Sequence, residues 1–316
     1  MAQTAIRKPA LTEQDPHLAA DIAEIQAGLA RTPKTLSPKF FYDDRGSRLF
    51  DRITELPEYY LTSTEIAIME ANVGEIAQLV GPEASLIEFG SGSSVKTRIL
   101  LRHLDRLAAY VPVDISRDHL VAAAEVLARD FPHIEVLPVA ADFTQPFALP
   151  QPKVMPRRNL VYFPGSTIGN FLPKAAHALL EVMYQEAAED GALLIGVDLK
   201  KDRETLERAY NDSEGVTAKF NLNMLRRLNA EFDADFDVER FEHRALYNEE
   251  FGRIEMHVVS KADQTVTVAG VRFELARGES IRTECSHKYT LQEFGEMVAR
   301  AWFVVMRVWT DEDEVF

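Results

Sequence analysis

Ser85-Leu86-Ile87-Glu88-Phe89-Gly90-Ser91-Gly92-Ser93-Ser94 decides the fold. A short apolar run ends in an acid and a glycine-rich turn, and Val95, Ile99, Leu100, Leu104 and Leu107 then recur at helical spacing. A strand that delivers a glycine turn to a helix is how a doubly wound sheet receives a nucleotide-like ligand. Downstream, Ala108-Ala109-Tyr110-Val111-Pro112-Val113 reads as a second strand stopping at Asp114. An acid about 20 residues after such a turn is placed to bind a ribose hydroxyl pair. The turn lacks the third glycine of the dinucleotide fingerprint, so its backbone is not prepared for a pyrophosphate. An adenosyl ligand without phosphates fits better, and S-adenosylmethionine is the candidate. A structural glycine turn in some other α/β protein is the alternative that this segment alone leaves open.

Strands and helices continue to alternate beyond Asp114. A helix is predicted from Ser116 or Arg117 through Ala128, with Ser116 and Asp118 as cap candidates, then a strand Ile134 to Val139 closed by Ala141-Asp142-Phe143. Asn159 to Phe163 is a further strand, Pro173 to Ala188 a helix and Ala192 to Asp198 a strand. Repeated βα units imply a parallel sheet covered on both faces. After Asp198 the pattern changes: Arg203 to Tyr210 and Ala218 to Leu228 read as helices, while Arg253 to Ser260, Gln264 to Val268 and Val271 to Leu275 alternate like antiparallel strands. The end returns to the first pattern, with a helix from Leu291 to Ala301 and a strand from Phe303 to Trp309. The expected organisation is therefore a nucleotide-binding domain over 66–200 plus 289–316, and a second, discontinuous α+β domain over 1–65 plus 201–288.

Composition narrows the function classes. The 316 residues carry a formal charge of −15, which opposes binding to polyphosphate and makes nucleic acid an unexpected partner. Small molecules are the expected ligands, and a monomer is the expected state. The longest apolar runs, such as Leu193 to Val197, are strand-sized, far short of the roughly 20 residues that a membrane span needs. Met1 to Lys8 contains no apolar signal-peptide core, so a cytoplasmic location is expected. One cysteine, Cys285, excludes an internal disulfide and a zinc-cysteine cluster, and scattered histidines predict no metal site.

Ligands of open α/β sheets bind outside the carboxyl ends of the strands. The residues there are Glu88, Gly90, Ser91 and Gly92 after the first strand, Asp114 after the second, and Asp142 and Phe143 after the third, suited to an adenine amino group and face. The fourth leads into Pro164-Gly165-Ser166-Thr167-Ile168-Gly169-Asn170, where the glycines bring backbone near a ligand and Asn170 offers a donor and an acceptor. Their common location favours S-adenosylmethionine over incidental polar loops. Glu284 and Ser286 share one strand face by parity, but so do Arg282 and Lys288, so the stripe alone fits a solvated face equally well.

Lys39-Phe40-Phe41-Tyr42-Asp43, Leu56-Pro57-Glu58-Tyr59-Tyr60, Glu88-Phe89-Gly90-Ser91-Gly92, Gly165 to Asn170 and Thr283-Glu284-Cys285-Ser286-His287-Lys288-Tyr289 occur in order. Together they resemble the histidine-specific methyltransferase family, the L-histidine Nα-methyltransferases of ergothioneine biosynthesis, from about Leu36 to Trp309. The resemblance implies a Rossmann-like S-adenosylmethionine-dependent methyltransferase domain with a discontinuous substrate-binding domain, and three successive transfers to the α-amino group of histidine, giving hercynine. It further implies that Glu88, Gly90, Ser91, Gly92, Lys96, Asp114, Asp142 and Phe143 contact the cofactor. Tyr42, Tyr59 and Asn170 would serve the transfer itself, Asn170 and Tyr210 the amino acid's carboxylate, and Phe50 the growing ammonium. Gly165, Thr217, Phe220 and Met256 would also line the substrate, with Glu284 and Ser286 hydrogen-bonding its imidazole. Two rival readings stand beside it: an N-methyltransferase of the same family acting on tryptophan or a prenylated tryptophan, and a non-catalytic S-adenosylmethionine-binding regulator.

Overall fold

A computed structural model of the chain describes residues 16–91, 95–115 and 117–316. Gly92, Ser93, Ser94 and Ser116, together with the Asp118 side chain, lie outside the described residues. In chain order the elements are α1 Pro16–Leu29, β1 Lys34–Thr35, α2 Asp44–Thr54, α3 Tyr60–Val80, β2 Ala84–Phe89, α4 Val95–His103, β3 Ala109–Asp114, α5 Arg117–Asp130, β4 Val139–Ala140, β5 Arg158–Phe163, α6 Pro173–Ala187 and β6 Ala192–Ile195. They continue with α7 Arg203–Tyr210, α8 Val216–Glu231, β7 Phe241–Asn248, β8 Arg253–Ser260, β9 Gln264–Val268, β10 Val271–Leu275, β11 Ser280–His287 and α9 Leu291–Arg300.

By the density of their internal contacts the described residues form two compact units. One takes the described part of Arg48–Thr217 with Ala245–Glu255 and Cys285–Phe316; the other takes the described residues up to Ser47 with Ala218–Arg244 and Met256–Glu284.

The larger unit contains a parallel sheet of order β4-β3-β2-β5-β6. Every residue of β2 is buried, as a central strand with both faces covered requires. Alternation sorts the side chains. Leu86, Tyr110, Leu160 and Tyr162 face a cluster with Met69, Val73 and Ile76 of α3 and Ile99 and Leu100 of α4. Ile87, Phe89, Val111, Val113, Val161 and Phe163 face the other, with Leu179, Leu180 and Met183 of α6 and Met297 and Val298 of α9. This period of two, carried on a parallel ladder, is the doubly wound α/β architecture expected from the sequence. Helix α9 starts with a capping box in which Thr290 and Glu293 satisfy one another's backbone N–H groups.

The smaller unit holds the β9-β10 hairpin, paired Val271 to Val268 through Leu275 to Gln264. It also holds the first strand of the sheet ordered β1-β11-β8-β7. Here β1 runs parallel to β11, with Lys34 opposite Ile281. On α8 of this unit, Phe220, Met224, Leu225 and Leu228 are buried at the spacing of an apolar helix face.

Three expected strands come out differently. Ile134 to Val139 yields only the two-residue β4 and an isolated bridge from Val136 to Tyr110. Pro138 stands inside that run, and a proline has no N–H to give a ladder. Ala192 to Asp198 pairs as a regular strand only to Ile195, with Gly196 N–H still donating to Phe163 O at 3.0 Å and Glu65 Oε1 occupying the space that a Cβ on Gly196 would need. Phe303 to Trp309 forms no strand. Its β-branched residues favour extended backbone, but that propensity supplies no pairing partner; Val304, Val305, Met306 and Val308 are exposed, and Arg307 and Trp309 donate to Glu75 on α3.

At the end of β2, Glu88 is wholly enclosed, accepting from Thr97 Oγ1 at 2.7 Å and from the Tyr110 hydroxyl. Burial pushes its carboxyl up from 4.5 to about 7, against the lowering effect of those two hydrogen bonds and Lys96. A raised folded-state value means that the protonated acid stabilises the fold fully below about 4.5 and that this contribution is lost as pH rises through about 7. Glu88→Gln should therefore flatten the fall in unfolding free energy between pH 4.5 and 7.5, by at most roughly 3 kcal/mol. Urea unfolding of both proteins across that range measures it, and parallel pH dependences would contradict the assignment.

Candidate active site

The strand registers bring the sequence-predicted positions to one end of the parallel sheet. Phe89 lies opposite Val113, Glu88 opposite Tyr162, Asp114 opposite Ala140 and Phe163 opposite Ile195. Gly90, Asp114, Asp142, Phe143, Gly165 and Asp198 consequently follow the carboxyl ends of neighbouring strands. The strand order reverses between β2 and β5, where open α/β sheets form their ligand crevice.

Gly90 has φ +73°, a conformation natural to glycine, and its N–H donates to Val113 O at 2.8 Å. Among the described residues, a Cβ built there would meet only the Phe143 ring, at 3.7 Å. Phe143 is held by ring contacts to Phe89 and Phe163, with centroids 5.6 and 5.9 Å away. Asp114 is half-buried, whereas Asp142 is exposed and accepts from both the N–H and hydroxyl of Thr144. An apolar ring, two carboxylates and a glycine turn suit an adenosyl group with hydroxyls and an amine. Both oxygens of Glu88 are engaged beneath the turn, by Thr97 and Tyr110.

Lys96, from the first turn of α4, pairs with the buried Glu65 of α3. The same carboxylate accepts from Gly165 N–H at 2.9 and 3.0 Å, so one acid ties the glycine loop after β5 to the lysine. Glu65 was not legible in the sequence, because it sits mid-helix among other acids. The loop itself carries Ser166 at φ +55° and ends in a short 3₁₀ turn, Thr167–Asn170, that presents Asn170 half-buried. Gly169 abuts β11: a Cβ there would stand 2.7 Å from His287 O, and His287 Nδ1 lies 2.8 Å from Gly169 O. His287 thus has a place, holding the Asn170 loop to β11.

The expected substrate residues divide between the units. In the larger unit Phe50, Tyr59 and Tyr210 form a chain of edge-on rings, with centroids 6.4 and 6.0 Å apart, and the Tyr210 hydroxyl donates to Ser286 Oγ at 2.9 Å. Gly165, Asn170 and Thr217 belong to it too, Thr217 buried with its N–H donating to Asp212. In the smaller unit Tyr42 packs edge-on against Phe220, which stacks on Phe41 at 4.5 Å. Thr283 there donates to Asn221 Oδ1 at 2.6 Å and to Met256 O at 3.1 Å, anchoring the strand just before Glu284.

The stripe Arg282, Glu284, Ser286 and Lys288 is no solvated face: Arg282 and Glu284 are half-buried, and Ser286 and Lys288 are buried. Beneath it lies a cluster that sequence reasoning missed. Asp198, fully buried, receives Lys288 Nζ at 2.6 Å, Lys201 Nζ at 2.5 Å and the Tyr60 hydroxyl at 2.9 Å. Asp198 follows β6, so the rule that selects strand ends could have found it; Lys201 and Lys288 gave no signal. Among the described residues no group of three or more His, Cys, Asp or Glu could hold a metal ion, and no helix is long and apolar enough to cross a membrane.

Comparison with known proteins agrees with this geometry. The family model described as histidine-specific methyltransferase, SAM-dependent, matches residues 21–316. Histidine N-alpha-methyltransferase of Mycobacterium tuberculosis (strain CDC 1551 / Oshkosh) is 40% identical over 309 residues, covering 96% of this chain and 94% of the relative. The protein of that name from Mycolicibacterium smegmatis is 40% identical over 306 residues, covering 93% and 94%. Ergothioneine biosynthesis protein 1 of Neurospora crassa is 30% identical over 291 residues, which cover 89% of this chain but 32% of that protein. With a glycine turn at the switch point of a parallel sheet and a family match spanning nearly its whole length, the chain belongs to the S-adenosylmethionine-dependent histidine-specific methyltransferases.

Proposed function

We propose that this protein transfers methyl groups from S-adenosylmethionine to the α-amino nitrogen of L-histidine, three in succession, giving hercynine for ergothioneine synthesis. The observation that carries the reading is the 40% identity, over almost the full length of both chains, to enzymes named for that Nα transfer. The polar and aromatic residues around Tyr210 and Ser286 support it.

In this reading the parallel-sheet unit holds the cofactor through Gly90, Ser91, Gly92, Lys96, Asp114, Asp142 and Phe143. S-adenosylmethionine, when bound, supplies a methyl group on a sulfonium. The remaining work is alignment and exclusion of water, for which a side-chain nucleophile is unnecessary. Asn170 and Tyr210 bind the amino acid's carboxylate. Tyr42 and Tyr59 accept from the attacking amine and, with Phe50, give the methylated ammonium aromatic faces. Glu284 accepts from a ring N–H of the imidazole, Ser286 contacts the other ring nitrogen, and Met256, Phe220, Thr217 and Gly165 complete the lining. A half-buried carboxylate facing a ring N–H discriminates against side chains that leave it unpaired.

Mass spectrometry of L-histidine or L-tryptophan incubated with the protein and S-adenosylmethionine tests the proposal directly. The expected product is trimethylated histidine with three S-adenosylhomocysteines released; methylated tryptophan in excess would overturn it. Glu284→Ala should raise KM for histidine about 5- to 100-fold, the equivalent of losing one charged hydrogen bond, with S-adenosylhomocysteine affinity unchanged by calorimetry. Tyr59→Leu should slow the last transfer most, because attraction to a ring grows as the ammonium becomes permanently charged, so mono- and dimethylhistidine should accumulate in a time course.

A further inference from the structure

Helix α8 carries a fully buried asparagine, Asn221, directly after Phe220. One amide N–H donates to the His257 carbonyl on β8 at 2.9 Å, and the nitrogen also stands 2.8 Å from His243 Nδ1 on β7. The amide oxygen accepts from the Thr283 hydroxyl on β11 at 2.6 Å. A single side chain thus bonds the helix to three strands. Asn221, His243, His257 and Thr283 all belong to the smaller unit.

Chemistry fixes the direction of each bond. The His257 carbonyl can only accept, so the amide nitrogen faces it; the opposite orientation would set two oxygens 2.9 Å apart. The amide oxygen is then left to Thr283. That hydroxyl has Asn221 Oδ1 at 2.6 Å and Met256 O at 3.1 Å as neighbours, both acceptors, so it donates. Asparagine is a poor helix former, and an amide removed from water has to be paired, so the arrangement specifies geometry rather than adding stability.

The geometry it specifies is that of residues assigned to the substrate side chain. Phe220 precedes Asn221 on α8, Met256 precedes His257 on β8, and Glu284 follows Thr283 on β11. Successive residues of a strand point to opposite faces, so pinning the buried Thr283 on one face fixes the direction in which the half-buried Glu284 leaves the other. We propose that Asn221 and Thr283 are positioning residues for recognition of the imidazole: the Asn221 amide, through the Thr283 hydroxyl, sets where Glu284 presents its carboxylate, on the reading that histidine is the substrate and Glu284 meets its ring N–H. Without the Thr283 hydroxyl, Asn221 Oδ1 loses this donor and β11 is released one residue before Glu284. Serine at 283 keeps the hydroxyl and gives up only a methyl group.

The test is steady-state methyl transfer to L-histidine by the full-length protein, with S-adenosylhomocysteine affinity from calorimetry and folding checked by thermal unfolding. The variants are Thr283→Val, Thr283→Ser, Asn221→Leu, Glu284→Ala and Thr283→Val combined with Glu284→Ala, with Thr283→Ala as a second hydroxyl-free variant where the valine disturbs folding. Thr283→Val and Asn221→Leu should each raise KM for histidine about tenfold with kcat and S-adenosylhomocysteine affinity within about twofold of wild type, because a ring held equally in the ground and transition states shows in KM alone. Thr283→Ser should stay within about twofold of wild type, since the hydrogen bond is retained. Added to Glu284→Ala, Thr283→Val should raise KM by less than about twofold, since the hydroxyl acts through the carboxylate. Wild-type KM in Thr283→Val or Asn221→Leu would overturn the proposal. So would Thr283→Ser as impaired as Thr283→Val, additive losses with Glu284→Ala, or equal weakening of S-adenosylhomocysteine binding. Failure of the wild type to methylate histidine would instead overturn the substrate assignment, and an unchanged KM in Glu284→Ala the role of its carboxylate.

Discussion

Strand β2 must hide both its faces, and the larger unit is built around that requirement. Six consecutive buried residues leave no room for a solvated side, so helices have to cover each face and neighbouring strands have to supply parallel ladders. Once β2 is central, Phe89 ends beside Val113, and Gly90 emerges where the chain can turn away from the sheet. The glycine turn, the half-buried Asp114 and the ring of Phe143 are then neighbours without any element having been arranged for them alone. The missing third glycine follows the same logic: an adenosyl ligand brings no pyrophosphate for the backbone to cradle.

A second constraint is electrostatic. Charges removed from water have to be paired, and this molecule concentrates them at the carboxyl end of its parallel sheet. Glu65 serves Lys96 and Gly165 at once, and Asp198 serves Lys288, Lys201 and Tyr60. Each acid joins loops that follow different strands. Such pairs add little net stability compared with apolar packing, but they specify geometry: an acid bound by several donors holds the loops that carry them in one arrangement.

Helices α7 and α9 and strands β8 to β10 were readable from local pattern because one face of each is apolar and the period is unbroken. The third strand of the sheet was over-read, since an apolar run does not reveal what Pro138 removes from a ladder. Phe303 to Trp309 was over-read for a different reason: extended propensity is local, whereas pairing needs a partner that the run itself does not encode. Among the candidate site residues, the placement of Gly90, Asp114 and Phe143 after strands was legible in the sequence, whereas position after a strand does not say whether a carboxylate such as Glu88 turns outward or down towards Thr97 and Tyr110.

By itself the sequence determined the alternation of strands and helices, the glycine turn that ends β2, and a set of ordered motifs specific enough to name a family. Those are properties of residues near one another in the chain, where periodicity and backbone preference act. Only the tertiary structure decided that Lys288 meets Asp198 across 90 residues, that Tyr210 reaches Ser286 across 76, and that His287 holds the loop of Gly169 across 118. These contacts depend on which strand ends are adjacent and on how deeply each side chain is removed from water, and neither quantity is written in any local stretch of the chain.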